Sequence, residues 1–583
     1  MADNYWTNRA SRRRFLGAAG LAGAGAAGLA LVGCGDDDDG GSATAAPAAT
    51  TGPGATATPA FQRGGTLRTP DYGLSSGNPA TIYPFENLSY LVQVPSSYHY
   101  SRLLRGVSGD KIAVEDKTTL EGDLASKWEQ VDSTHYTFTL KPNAKWQNKA
   151  PLNGRAVTAS DYVKSYETFS KVSQNGAKFN SVIDKVDAPD EKTVRFSLKA
   201  PFAPFLSSMV ASAEGPWLIP VETIDSGQAK ADPVGSGPYI FKEWNTGVSI
   251  KWDRNPDYYD SPYPNFDKVE AGLTNDPQRI VAALQAGELD ISGLNGTVYK
   301  ESHSKLDPKG QDIFQQDLVA AGIYFNFDNK PFQDKRVRQA MSMILDRPGY
   351  NKIQDGTGKG GIHSHQPPGM APFYLNPDSA EFGANAKYYK RNLTEAKALL
   401  SAAGAEGLKF KFISSPDRYG VAVKTYAELM GASFQEAGLQ PELIFEPNAT
   451  YIQSIFLGNM PPDSCAVGPW IGAPNDPDDV FVTIYWTKSV RHNWGGTPIP
   501  EQAAIDAMIE KQRTILDLKE RIAFIQEGQR MMAEVMQMIP IHATAGYIYA
   551  QPWVKNFYLK AGYAYMPDGM MKAGFDADRL KKG

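Results

Sequence analysis

The first 34 residues decide where folding can begin. Ser11-Arg12-Arg13-Arg14-Phe15 leads into 17 uncharged residues, Leu16 to Val32, and then Gly33-Cys34. An arginine cluster, a short Gly/Ala/Leu run and a small residue before a cysteine read as an export signal, not as structure. The run is too short and too rich in Gly and Ala for a membrane span. Gly23-Ala24-Gly25-Ala26-Ala27-Gly28 has the spacing of a dinucleotide loop, but no strand precedes it and it lies within the signal's apolar core. Residues 35–60 hold no large apolar side chain and are rich in Ala, Thr, Gly and Pro, so they read as a flexible tether. Asp36 to Asp39 read as solvated linker charge in preference to a calcium site. A folded body is therefore expected only from Phe61 onward.

The signal carries two refinements. Ser11-Arg12-Arg13 with Phe15-Leu16 resembles the twin-arginine export signal, which serves proteins exported already folded. Leu31-Val32-Gly33-Cys34 resembles a bacterial lipobox, so Cys34 is expected to be acylated and to become the mature N-terminus. That predicts a lipid-anchored protein in the periplasm or on the outer face of the cytoplasmic membrane. Losing residues 1–33 removes four arginines and one aspartate, and the formal charge moves from −5 to −8. A mildly acidic body argues against nucleic acid as a partner. With Cys34 assigned to the anchor, Cys465 is the other cysteine; set in an apolar segment, it reads as a small core residue with no disulfide.

Along the body, strands and helices alternate. Tyr136, Phe138 and Leu140 share one strand face, and Val194, Phe196 and Leu198 repeat the pattern. Asp276-Pro277 opens a helix that Gly287 stops. Val337, Ala340, Met341 and Ile344 form the apolar face of the next. Asn392 caps a third helix ending at Gly404. Val423, Tyr426, Met430 and Phe434 line a fourth. One long helix is expected over about 501–538, its Met residues serving as core filler. This alternation gives an α/β class with mixed sheets.

In order, these segments resemble the solute-binding proteins of ABC importers, in the oligopeptide/dipeptide/nickel-binding group, extracellular family 5. The resemblance spans roughly 63 to 565. It rests on Asp123-Leu124-Ala125 and Lys127-Trp128-Glu129, Trp146, Thr158 to Tyr162, Val234-Gly235-Ser236-Gly237-Pro238-Tyr239 and Arg254 to Tyr259. Ala286 to Asp290, Tyr324 to Asn326 and the run Pro331 to Ala340 complete it. The chain departs at Trp146-Gln147-Asn148-Lys149, where the family usually has a Phe-His-Asp-Gly turn. The resemblance implies a two-lobed periplasmic-binding-protein-like (Venus-flytrap) fold with a hinge crossed twice. Lobe I would be 61–318 with an extra subdomain at 88–210, lobe II 319–544, and 545–583 the return to lobe I. It also implies a monomer that buries a small solute in the cleft and docks on a permease coupled to an ATPase.

In peptide-binding members an aspartate three residues after a lobe II tryptophan meets the ligand's amine. Here Trp470 and Gly472 match, but that position is Ala473. The expected ligand contacts are Trp470 by stacking, Gly472, Asp476 as a polar anchor and Tyr324 from the hinge side. Asp476 reads equally as a loop-capping carboxylate, and the pair Asp476/Asp478 resembles one that is more often structural. Besides peptides, oligosaccharides, opine-like compounds and nickel chelates are the solute classes the resemblance allows.

No catalytic, metal or cofactor site is expected. Gly235-Ser236-Gly237 lacks the spacing of a nucleophile elbow, and Gly356 to Gly361 lacks that of a phosphate loop. His363-Ser364-His365 reads as a solvated Gly/Pro-rich loop, with a metal-complex contact as the alternative. The rival functions are an exported lipoprotein enzyme and a solute sensor that serves a surface receptor.

Overall fold

The computed structural model describes residues 62–70, 81–272, 274, 276–419, 421–468, 474–489, 495–560 and 566–581. The signal, the tether and Cys34 lie outside these. Three sheets organise the body. A four-stranded sheet has the order Thr66–Pro70, Lys268–Gly272, Ser249–Arg254, Tyr239–Asn245, its first pair parallel. A second four-stranded sheet is fully antiparallel, in the order Ala125–Gln130, His135–Leu140, Thr193–Leu198, Ile183–Asp187.

Alternation drives both. Tyr136, Phe138 and Leu140, with Val194, Phe196 and Leu198, are buried as their period-two pattern predicts. The helix Ala159–Val172 covers them, and it starts where Thr158 and Asp161 close a capping box. Its Tyr162 meets Phe196 edge-on at 6.0 Å, and Phe196 meets Phe205 at 5.2 Å.

The third sheet is six-stranded and mixed, in the order Ile291–Leu294, Met538–Ala550, Gln311–Phe325, Ser464–Val467, Lys409–Ser414, Gln440–Phe445. Lys409–Ser414 runs parallel to both of its neighbours. The two long strands, Gln311–Phe325 and Met538–Ala550, pair antiparallel, and their register breaks between Gln316 and Gly322.

Local signals set most helix ends. Asp276 accepts from the amides of Gln278 and Arg279, Pro277 follows, and Gly287 ends that helix at φ +71°. Asn392 caps Leu393–Ala402 through the Glu395 amide. Lys335–Ile344 is buried on every side from Val337 onward, which its amphipathic reading did not anticipate. The expected helix over 501–538 is instead two, Gln502–Gln512 and Leu518–Val535. Asp517 caps the second by accepting from Glu520, so the chain restarts where the apolar period seemed unbroken. Met508 and Met532 are core, as expected, and Cys465 is a buried free thiol whose ionisation burial opposes.

Candidate functional site

In an open α/β sheet, ligands bind beyond the carboxyl ends of parallel strands. Here those ends are Ser414, Phe445 and Val467. Trp470, Gly472 and Ala473 follow the last of them but lie outside the described residues. The chain resumes at Pro474, and Asp476 caps the helix Pro477–Ile484.

Three carboxylates crowd that helix start, and each has its own cation. Asp476 accepts from Arg521 at 2.5 and 2.9 Å, from the Asp478 amide at 2.9 Å and from Ser207 Oγ at 2.9 Å. Asp478 accepts from Arg513 at 2.7 and 3.1 Å and from Gln512 at 2.6 Å. Asp479 pairs with Lys178 at 2.8 Å and accepts from Ser208 Oγ at 2.7 Å. The break between the two C-terminal helices places Gln512 and Arg513 on one of these carboxylates and Arg521 on another.

Burial alone would raise the pKa of Asp476, but the Arg521 charge and its hydrogen bonds win and hold it below the usual range. For Asp478 burial prevails, helped by its two acidic neighbours, and the carboxyl is pushed up despite Arg513. Asp476, expected as a polar anchor for a ligand, thus has both oxygens engaged by the protein, in line with its capping reading.

This helix start also forms a seam with the region around 178–212. Ser207 and Ser208 lie on the π-helical turn Phe205–Val210. Beside their bonds to Asp476 and Asp479, Asn475 Nδ2 donates to Ser212 Oγ at 2.9 Å, and the Ala203 amide donates to the Arg513 carbonyl at 2.6 Å. The sequence marked none of these partners, which are separated by 263 to 310 positions in the chain.

Behind the helix start lies the loop His363–Gln366. Expected to be solvated, it is fully buried. The correction has a physical cause: neighbouring elements, in place of water, meet several of the loop's polar groups. Ser364 Oγ donates to Gln529 Oε1, Gln366 Nε2 donates to the Pro477 carbonyl at 3.2 Å, and the His365 ring shares a 2.9 Å hydrogen bond with the Tyr485 phenol. The His365 amide donates to His363 Nδ1 at 3.0 Å while its own φ is +66°. Burial, then the nearby His542, lowers the His363 pKa to about 3, and burial also drives His365 well below its usual value. Both rings are neutral. Among the described residues, three polar atoms here have no partner: His363 Nε2, His365 Nε2 and Gln366 Oε1. Tyr324, the fourth expected contact, is buried on its long strand opposite Ala466 and Met538, close enough to oppose ionisation of Tyr485.

Residues 119–490 match the family model described as bacterial extracellular solute-binding proteins, family 5, middle. The chain belongs to that family. A probable D,D-dipeptide-binding periplasmic protein of Escherichia coli is 27% identical over 87% of this chain and 93% of its own length. Heme-binding protein A of Haemophilus influenzae is 25% identical over 84% and 88%. Among solved structures, the ABC transporter substrate-binding protein CtaP of Listeria monocytogenes superposes with a TM-score of 0.72 at 20% identity, covering 88% of this chain and all of that one. The agropinic acid complex of AgaA from Agrobacterium (A. tumefaciens R10) gives 0.67 at 20%, covering 88% and 99%. The fold is the family's two-lobed α/β architecture. Family 5 chains are extracytoplasmic solute-binding proteins, and the rival reading of an exported enzyme is set aside with this membership.

Proposed function

We propose that this chain is the lipid-anchored solute receptor of an ABC importer, one that buries a peptide-like or related small solute between its lobes and presents it to a permease. The observation that carries the reading is the seam between the Phe205–Val210 turn and the start of the helix Pro477–Ile484. It joins residues assigned by the sequence to opposite lobes, at the end of the sheet where family members of this fold have their cleft. Relatives named for dipeptides and a neighbour bound to agropinic acid support peptides or opine-like compounds as the solute class. Within the cleft Trp470 stacks on the solute, Gly472 allows close approach and Tyr324 contributes from the hinge side. Asp476 serves the site through Arg521, by fixing the wall that Trp470 leads into. The lobe limits near 318 and 545 fall on the long paired strands, where the register break between Gln316 and Gly322 provides a place to flex.

Acylation at Cys34, after export through the twin-arginine route, would hold the body outside the cytoplasmic membrane. Among the described residues no helix is long and apolar enough to cross a membrane. Three experiments test the proposal. Cys34→Ala should move the protein from the detergent phase to the aqueous phase; persistence in detergent removes the lipid anchor. Native mass spectrometry of the purified chain should show a bound solute of small mass. Deleting the neighbouring permease should abolish uptake of that solute, and intact uptake would favour a sensor over an importer.

A further inference from the structure

The glycine-rich loop 356–361 lacks the spacing of a phosphate loop, but it crosses the place where the two long strands lose their register. It follows the helix Arg347–Asp355, which Gly356 ends at φ +70°. Arg347 ties that helix to the strand Met538–Ala550 by donating to the Pro540 carbonyl at 2.8 Å. Pro540 stands opposite Gly322, on one side of the break. Within the break, the Gly361 carbonyl accepts from the Ala543 amide at 2.9 Å. On the other side, Thr357 Oγ1 shares a 2.5 Å hydrogen bond with the phenol of Tyr547, which stands opposite Phe314. Three ties thus run along one strand, from one side of the break to the other.

The Tyr547 side grips the loop in further ways. Lys300 Nζ donates to the Gly356 carbonyl at 3.2 Å, and Lys359 Nζ lies 5.9 Å from the centre of the Phe314 ring. Gly356 passes so close to the helix Gly296–Ser302 that a Cβ there would come within 2.9 Å of Thr297 Cα and Oγ1. Tyr547 itself stacks on Tyr299 of that helix at 4.4 Å.

A bend of the strands at the break moves Tyr547 relative to Pro540, whereas the helix and loop that join them are of fixed length. The contacts of Thr357, Gly356 and Lys359 therefore hold one angle or must be released. In the same arrangement Ser207, Ser208 and Lys178 meet the Asp476–Asp479 turn. One angle satisfies both sets.

We infer that the loop 356–361 is a strap across the hinge, holding the lobes at the angle at which the seam is made. This rests on the solute-binding reading above and adds a control to it: a loop outside the seam sets how firmly the cleft stays shut.

The test loosens the strap and reads angle and solute separately. Lys300→Met and Tyr547→Phe each remove one tie and keep the apolar body of the side chain; a third variant inserts two glycines after Gly358 and removes none. Spin labels on Lys185→Cys and Lys488→Cys, both exposed and on the two sides of the seam, report the distance across it in the otherwise full-length Cys34→Ala chain. Cys465 is buried and stays unlabelled. The expected result is a longer or broader label distance in every variant, at a melting temperature close to the parent's. In the unlabelled chain, native mass spectrometry during dialysis should show the co-purified solute lost about two- to tenfold faster. Label distances that stay the same or shorten overturn the inference, because the loop then does not hold this angle. Unaltered solute loss beside widened distances overturns the control on retention. If the insertion does not fold, the two point variants decide. A parent that carries no solute defeats the solute-binding reading instead, while the label distances still judge the strap.

Discussion

Two buried polar regions lie back to back in this molecule, joined where Gln366 donates to the Pro477 carbonyl. In the acidic turn Asp476–Asp479, Asp476, Asp478 and Asp479 each face a cation of their own, Arg521, Arg513 and Lys178. The loop His363–Gln366 is neutral and leaves three atoms unmatched among the described residues. Matched charge fixes a shape, because removing either partner strands an ion in low dielectric. Unmatched neutral groups do the reverse. They cost stability in the empty protein and return it when something fills them. The first region is read as scaffold, the second as a place where burial leaves polar groups unserved.

The sharpest way to break this contrast is Arg521→Met. It leaves the Asp476 carboxylate buried beside Asp478, and a loss of roughly 3–5 kcal/mol is expected by chemical denaturation. A loss under about 1 kcal/mol would mean that the acidic turn is not the scaffold. A pH series sharpens the same point. The folded-state pKa of Asp476 lies below its unfolded value near 3.8, so its contribution is present at neutral pH and lost as the pH falls through that lowered value. Asp478 is shifted the other way, so its contribution is present below 3.8 and lost as the pH rises through its raised value. The stability deficit of Asp476→Asn, measured by thermal melting, should therefore shrink from pH 7 to pH 3; a constant deficit would contradict the paired-carboxylate account.

A smaller effect is expected at the seam. The Lys178–Asp479 pair is partly exposed, so Lys178→Met should cost at most about 1 kcal/mol of global stability. It should nevertheless speed solute dissociation several-fold in stopped-flow, and added salt should narrow the difference between variant and parent. An unaltered off-rate would separate the seam from closure. The smallest effect is expected at Gln366. Gln366→Leu removes an unsatisfied acceptor but also the hydrogen bond to the Pro477 carbonyl, so the protein should stay within about 1 kcal/mol of the parent's stability. A clear destabilisation would place Gln366 with the scaffold.

Much of the fold was legible because its signals are local. The alternation of Tyr136, Phe138 and Leu140, the Asp276 and Asn392 caps and the Gly287 stop each involve residues a few positions apart. The ordered markers from Asp123 to Ala340 carried the family. The site was less legible, since its decisive contacts are distant in sequence. Arg521 reaches Asp476 across 45 positions and Ser207 reaches it across 269, and no periodicity announces either. The solvated reading of His363-Ser364-His365 followed from Gly and Pro neighbours, whereas its burial follows from Tyr485, Gln529 and Pro477, which only tertiary structure brings close. The split of the 501–538 helix had a local cue, Asp517 with Glu520 three residues on, which the continuous apolar period from Ile505 to Ile525 concealed.

The long strands Gln311–Phe325 and Met538–Ala550 have a mechanical consequence. Two chains laid side by side and laced by hydrogen bonds form a ribbon, which curls easily out of its plane but resists shearing and in-plane rotation. The missing rungs between Gln316 and Gly322 soften that ribbon at one station along its length. With the lobes divided as proposed, near 318 and 545, movement of one on the other would be confined to essentially a single angle, like a door on a leaf hinge. A membrane partner would then sense a filled cleft by gauging that angle alone, without touching the solute.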